Sequence, residues 1–182
     1  MKKLFFAMTI IAGTFAVSNN ANAQSSTAST NVKITLADFI TAQDGNGTTA
    51  SATPGAGAEV AFSYPDAASY TVDQTVAKVG HLKVTATKSF GVKVKANAAN
   101  FLKGTDAIPV SVMDIIPTAP GSGTATTVTL SAADQTILAN VNSGIKTIDV
   151  SYKIPFAKAQ SDILGKPSGV YNQTVTYTFS QP

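Results

Sequence analysis

The sequence contains no cysteine, no tryptophan and no arginine, and only one histidine, His81. Without cysteine the chain has no disulfide, no thiolate nucleophile and no thiolate metal site. Arginine makes the bidentate contacts to phosphate and guanine, so its absence argues against a nucleic-acid-binding protein. A single histidine is too few for a zinc site, and no G-x-S-x-G motif accompanies it. We therefore expect no metal, no cofactor and no catalytic residues, with His81 as a surface or half-buried strand residue.

Two short motifs resemble functional ones, but the first is a coincidence that leads into a predicted strand and the second is a tight turn. Ser143 and Lys146 have S-x-x-K spacing, but the S-D-N and K-T-G partners of that motif are missing. Asp44 begins an Asp-Gly-Asn-Gly sequence similar to a calcium loop, without the later carboxylates that such a loop needs. The acidic residues are scattered along the sequence, so we expect that the protein is not an enzyme.

The beginning of the chain has the three parts of a secretory signal peptide. Lys2 and Lys3 precede an apolar run over residues 4–17, and residues 21–23 form an Ala-x-Ala cleavage site before Gln24. The run is too short for a membrane span. We expect an exported protein, at the cell surface, in a fimbrium or extracellular, with no membrane span after cleavage. Loss of the two lysines lowers its formal net charge from +3 to +1.

The remaining sequence is typical of one β-rich domain. Residues 24–31 are polar and predict a flexible N-terminal segment, and residues 32–182 are long enough for a single domain with its own core. About seven or eight segments alternate apolar and polar residues, which indicates an antiparallel, immunoglobulin-like β-sandwich, with a closed barrel as the alternative. Long loops are predicted over residues 41–58 and 117–124. Helical turns are predicted over residues 132–139 and 157–164.

The clearest strand pattern predicts a hairpin. Residues 82–87 and 90–96 both alternate, and a short polar break separates them. The side chains expected to face the core are Leu82, Val84, Phe90, Val92 and Val94.

The last long strand carries a recognisable pattern. After Gly169, the residues Tyr171, Val175, Tyr177 and Phe179 lie on one face of the predicted strand, and threonines occupy the other. This Gly-x-Tyr ending resembles the closing strand of bacterial fimbrial subunits, and the order of earlier elements is loosely similar to alpha-type pilins of the chaperone–usher class. The resemblance implies an incomplete sandwich that a strand from the next subunit completes. It also implies a homopolymer or related surface subunits, with a periplasmic chaperone, as partners.

The first alternating segment is the candidate for that donated strand. Val32, Ile34 and Leu36 have the alternate spacing that strand addition requires, and a polar leader precedes them. In the competing interpretation this strand closes its own sandwich. Residues 60–64, with Val60, Phe62 and Tyr64 alternating, predict a further strand.

Together these features favour a non-enzymatic structural subunit of a surface fibre or adhesive surface layer. The alternative is a secreted module that binds carbohydrate or peptide through loops 41–58 and 117–124. An exported enzyme has the least support, because no catalytic constellation is present.

Overall fold

The computed structural model describes residues 33–44 and 59–182. Most of the regular structure consists of antiparallel strands, as the alternating patterns predict. The strands are β1 (Ile40–Asp44), β2 (Gln74–Ala86), β3 (Phe90–Ala96), β4 (Asn100–Lys103), β5 (Asp106–Pro109), β6 (Asp114–Pro117), β7 (Thr124–Ala125), β8 (Val128–Thr129), β9 (Gln135–Val141), β10 (Gly144–Ile154) and β11 (Val175–Ser180). Short helical pieces are 3-10 turns at Ala68–Tyr70 and Val110–Val112, an α-helical turn α1 at Phe156–Lys158 and a π-helical turn at Ala159–Ile163.

The chain divides into two units, residues 1–35 and residues 36–182. Of the first unit the structure describes only residues 33–35, which belong to no strand or helix. The signal peptide at residues 1–23 and the polar segment at residues 24–31 lie outside the described residues, so both remain predictions.

The second unit is a sandwich of two main sheets. One sheet has the strand order β1-β2-β10-β6-β8, and the other has the order β11-β3-β9-β7. A separate two-stranded sheet pairs β4 with β5. The architecture confirms the predicted antiparallel, immunoglobulin-like β-sandwich, although the strands are more numerous and several are only two to four residues long.

The core lies between the two main sheets and is built from alternate residues of their strands. Phe90, Val92 and Val94 on β3 are at most 1% exposed, and Ile148 and Val150 on β10 are fully buried. Burial of each such side chain contributes roughly 1.5–3 kcal/mol to folding. All five residues predicted to face the core from residues 82–96 are buried, which confirms the assignment of faces.

The predicted hairpin, however, is wrong. β2 belongs to the five-stranded sheet and β3 to the four-stranded sheet, so residues 87–89 carry the chain from one sheet to the other. β2 pairs instead with β1 and β10, while β3 pairs with β11 and β9. Alternation identifies the face of a strand that is buried, but two strands of opposite sheets bury the same core and show the same alternation.

Two further predictions differ from the structure. Residues 135–139 are part of strand β9, not helix, because Ser131 and Gln135 form a local turn in which Ser131 N–H donates to Gln135 Oε1 at 3.1 Å. Residues 41–44 belong to strand β1 instead of the predicted loop. The prediction of a short helix near residues 157–164 is confirmed by the α-helical and π-helical turns.

Candidate functional site at the edge of the sandwich

The closing strand β11 is an outer strand of its sheet. It pairs with β3 over six residue pairs, from Val175 opposite Ala96 to Ser180 opposite Gly91. Among residues 33–44 and 59–182, no strand pairs with its other edge. Backbone N–H and C=O groups along such an edge are available to another extended chain.

The strand order explains why this edge is open. An immunoglobulin sandwich has strands A-B-E-D in one sheet and C-F-G in the other. Here the order β1-β2-β10-β6 corresponds to A-B-E-D, and β3 paired with β11 corresponds to C paired with F. No strand in the described part of the chain takes the position of G beside β11. The sandwich is therefore one edge strand short of that arrangement within the residues described.

The inner face of β11 is only partly covered. Val175, Tyr177 and Phe179 are half-buried, although they pack against the core. Their neighbours Val92 and Val94 on β3, directly opposite Phe179 and Tyr177, are 0% exposed. These three residues share one face, as the sequence predicts. The apolar core thus reaches the protein surface along β11.

Tyr177 also connects the edge strand to the opposite sheet. Its hydroxyl lies 2.6 Å from the hydroxyl of Tyr152 on β10, which in turn lies 2.8 Å from Nε2 of His81 on β2. The ring of His81 contacts both tyrosine rings edge-on, at centroid distances of 5.6 and 5.8 Å. Burial raises the pKa of Tyr152 to about 12 and, with a contribution from Tyr152, raises that of Tyr177 well above 10.0.

This buried polar cluster was not predicted from the sequence. His81 was expected at the surface or half-buried, but it is 7% exposed and lies between the sheets. A β-bulge in the pairing of β2 with β10 lies beside it, where Gly80 has a φ of +62°. The Gly80 N–H donates to Asp149 Oδ1 at 2.7 Å. A glycine directly before a histidine in an alternating strand is the one sequence signal that could have indicated the bulge.

Gly169 and Tyr171 lie ahead of β11 rather than in it. Gly169 has a φ of +143°, and a Cβ at this position would lie 2.7 Å from Cδ of Lys103. Lys103 Nζ donates to Ser168 O at 2.7 Å and lies 5.7 Å from the centroid of the Tyr171 ring. The Tyr171 hydroxyl donates to Pro167 O at 2.9 Å. The Gly-x-Tyr sequence therefore fixes the entry of the chain into β11, while the ladder with β3 begins only at Val175.

The predicted donor residues fall in a segment without secondary structure. Val32 lies outside the described residues. Ile34 is 79% exposed and Leu36 is 88% exposed, and residues 33–39 belong to no strand. The strand predicted here thus begins later, at Ile40. Large apolar side chains at alternate positions are left in contact with solvent.

The end of this segment is fixed at the same side of the sandwich as β11. Phe39 N–H donates to Thr87 Oγ1 at 3.0 Å, and Phe39 O accepts from Thr87 N–H at 3.2 Å. Gln181, directly after β11, donates from Nε2 to the same Phe39 carbonyl at 3.0 Å. No backbone ladder pairs β1 with β11, although the two strands lie close together.

Other kinds of site have little support in the described residues. They contain no group of three metal-ligating side chains. A shallow cavity of about 240 Å³ lies over β3 and β9, where Lys93, Thr136, Asn140 and Ser180 line it. It is not formed by residues 117–124, the described loop that the ligand-binding alternative requires.

No helix in residues 33–44 and 59–182 is both long enough and apolar enough to cross a bilayer. No model of a known protein family matches the chain, and a search of curated proteins finds no relative.

Proposed function

We propose that the chain is an exported, non-enzymatic structural subunit of a bacterial surface fibre or adhesive surface layer. Copies assemble when an extended segment of one adds as a strand to β11 of another. The observation that carries this proposal is the edge of β11, which has no described partner and has half-buried apolar side chains on its inner face. A strand added there would supply both ladder hydrogen bonds and the missing apolar cover.

Residues 32–36 have the chemistry of the donor. In an extended chain, Ile34 and Leu36 point to the same face, and Lys33 and Thr35 to the other. Exposure of 79% and 88% is costly for these side chains in water, and burial at a sandwich edge would recover roughly 1.5–3 kcal/mol for each. Val32 would add a third apolar position at the same spacing. Such a donor would match the alternation of Val175, Tyr177 and Phe179 on the acceptor.

The proposed partners follow from the same surface. An open sheet edge with apolar residues beside it invites uncontrolled association before assembly. A periplasmic chaperone that covers the edge until assembly is therefore part of the proposal. The final partner is a second copy of this chain or a related surface subunit.

The test is the assembly state of the exported protein. Size-exclusion chromatography and electron microscopy should show oligomers or fibres that grow with protein concentration. The double variant Ile34→Ser, Leu36→Ser should remain monomeric, whereas the control Lys33→Ser, Thr35→Ser, on the other face of the same segment, should still assemble. A wild-type protein that stays monomeric at every concentration, and after chaperone release, would contradict the proposal and favour the ligand-binding module.

A further inference from the structure

The cavity of about 240 Å³ lies where strands β3 and β9 and the end of β11 meet. On β3, Gly91 and Lys93 alternate with the buried Val92, so they lie on the outer face of the sheet. Gly91 is opposite Ser180 of β11, and Lys93 is opposite Thr136 of β9. Residues opposite each other on paired strands share a face. Because Gly91 has no side chain, it leaves a space that polar residues of three strands surround.

The backbone of β9 is irregular beside this space. The pairing of β3 with β9 shifts register at Gly91, so that two β9 residues, Ala139 and Asn140, lie opposite it and form a β-bulge. Asn140 has a φ of +55° and is the one residue other than glycine with a positive φ in residues 33–44 and 59–182. A Cβ at position 91 would lie 3.2 Å from the carbonyl oxygen of Leu138. Bulges and left-handed residues are both frequent beside functional sites.

The polar side chains around the cavity are not used by the fold. Four lining residues are exposed, and their side chains make no hydrogen bond or ion pair within the described part of the chain: Lys93, Thr136, Asn140 and Ser180. The next lysine on the same face, Lys95, instead pairs with Asp134 at 3.5 Å. The four side chains are therefore available to a ligand.

These groups suit a small ligand that carries a carboxylate and hydroxyl groups. Of the described residues that line the cavity, Lys93 alone is charged, and its ammonium group attracts carboxylates. The hydroxyls of Thr136 and Ser180 and the amide of Asn140 can each donate and accept hydrogen bonds, as a sugar hydroxyl requires. Pockets for drug-sized ligands have about 300–1,000 Å³, so this cavity suits a smaller ligand.

The position of the cavity favours a saccharide over an extended peptide. A peptide that adds to a sheet needs a strand edge with free N–H and C=O groups. β3 has β11 on one edge and β9 on the other, so it offers no such edge here. Gly91, Ala139 and Pro182 also line the cavity and present apolar surface that the C–H groups of a sugar ring can contact.

We infer that this cavity binds a saccharide residue that carries a carboxylate, such as a uronic acid. Lys93 pairs with the carboxylate, and Thr136, Asn140 and Ser180 hydrogen-bond the ring hydroxyls. This inference goes beyond the proposed function and does not depend on it, because the cavity lies on the side of β11 that β3 occupies and not at the unpaired edge. In a surface fibre the site would be repeated in every copy, so that weak single contacts would add up.

Saturation-transfer NMR of the exported protein with D-glucuronate tests the inference, because it detects weak ligands on single subunits and on assemblies alike. D-glucuronate should bind, and D-glucose, which lacks the carboxylate, should bind at least about tenfold more weakly. Added salt should weaken the binding of D-glucuronate, since Lys93 is exposed.

Two variants assign the binding to the cavity. Lys93→Gln should weaken D-glucuronate binding about tenfold, whereas the control Lys95→Gln, on the same face but outside the cavity lining, should leave it unchanged. Asn140→Gly should also weaken binding but should not lower the thermal unfolding midpoint, because glycine adopts a positive φ without strain. An Asn140 with only a structural role would leave binding unchanged.

Several results would overturn the inference. Equal binding of D-glucose and D-glucuronate would show that the carboxylate is not recognised. Equal losses in Lys93→Gln and Lys95→Gln would show a general attraction of acids to the lysine-bearing face. Tighter binding of N-acetyl-aspartate amide than of D-glucuronate would replace the saccharide with a peptide carboxylate. Absence of any D-glucuronate signal would exclude the site, while the assembly state of the same sample tests strand addition separately.

Discussion

The hydroxyl of Tyr177 lies 2.6 Å from the hydroxyl of Tyr152, and this contact joins the edge strand β11 to the opposite sheet. Because β11 has one ladder partner among the described strands, its attachment depends on that ladder, on its partly covered apolar side chains and on this hydrogen bond. A hydrogen bond inside the sandwich thus helps to hold this edge strand in place.

Removal of the Tyr177 hydroxyl should weaken that attachment. Tyr177→Phe deletes one buried hydrogen bond and keeps the ring, so we expect a loss of about 1 kcal/mol in the free energy of unfolding. Thr178→Val, at the next and exposed position of the same strand, should change it by less than about 0.5 kcal/mol. Chemical denaturation of both variants is the measurement, and equal effects would show that the hydroxyl pair does not hold β11.

The core face of β3 gives a second comparison. Phe90 is 1% exposed, so Phe90→Ala should lower the free energy of unfolding by about 3–5 kcal/mol. Lys93 is exposed on the other face of the strand, and Lys93→Ala should barely change it. Thermal unfolding followed by circular dichroism would show the difference, and a similar midpoint for both variants would mean that the faces are assigned wrongly.

Alanine substitutions at two glycines compare the cost of backbone strain with the cost of a steric clash. Gly169 and Gly165 both have positive φ, but only at Gly169 would a Cβ meet a neighbour, the side chain of Lys103. Each alanine substitution should cost roughly 1–3 kcal/mol for the backbone conformation. Gly169→Ala should cost more than Gly165→Ala, and Lys103→Ala should reduce that excess. Denaturation of the two single variants and the double variant measures it, and the idea fails if the two glycines behave alike.

Stability at acid pH should depend on Asp73. Its carboxylate lies 2.7 Å from Lys153 Nζ and accepts from Phe156 N–H at 2.9 Å. The hydrogen bond from Lys153, followed by that from Phe156, holds the pKa of Asp73 below its ordinary value of 3.8. The folded state therefore binds this proton less readily than the unfolded state, and the stabilisation is lost as the pH falls through the folded pKa.

The corresponding measurement compares wild type with Asp73→Asn over a pH series. We expect wild type to be the more stable protein at neutral pH and the difference to shrink below pH 3.8. Asp162→Asn is the matched control, since Asp162 makes none of the ion pairs found in the described residues. A difference that does not vary with pH would contradict the role given to the carboxylate charge.

The alternation of apolar residues predicts which face of a strand is buried, but it does not predict which strands pair with each other. The burial of Val92 and Val94 follows from their spacing, because a strand has only two faces. The pairing of β3 with β11 and β9, rather than with β2, depends on contacts between distant residues that no local pattern records. The residues that begin at Ser131 are of the types found at a helix start, but they form a turn. Residues 135–141 after this turn form strand β9, where Leu138 pairs with Val92.

The candidate site was predictable only in part. The shared face of Val175, Tyr177 and Phe179 could be derived from the sequence, since it is again a matter of spacing. The open edge beside it could not, because it depends on the order of strands in the sheet. The cluster around His81 was missed because a lone histidine in a strand gives no indication that two tyrosines from other strands will surround it.

The three hydrogen bonds between Phe39 and Thr87 have a mechanical consequence. Tension on the chain ahead of Phe39 would reach the sandwich first at Thr87, where the chain turns from β2 toward β3. Beyond that point the load would pass into the five residue pairs between β1 and β2, along the direction of the strands. Hydrogen bonds loaded together in this way share the force, whereas bonds peeled from one end break one after another. The contacts at Thr87 and the β1–β2 ladder should therefore resist such a pull together rather than one bond at a time.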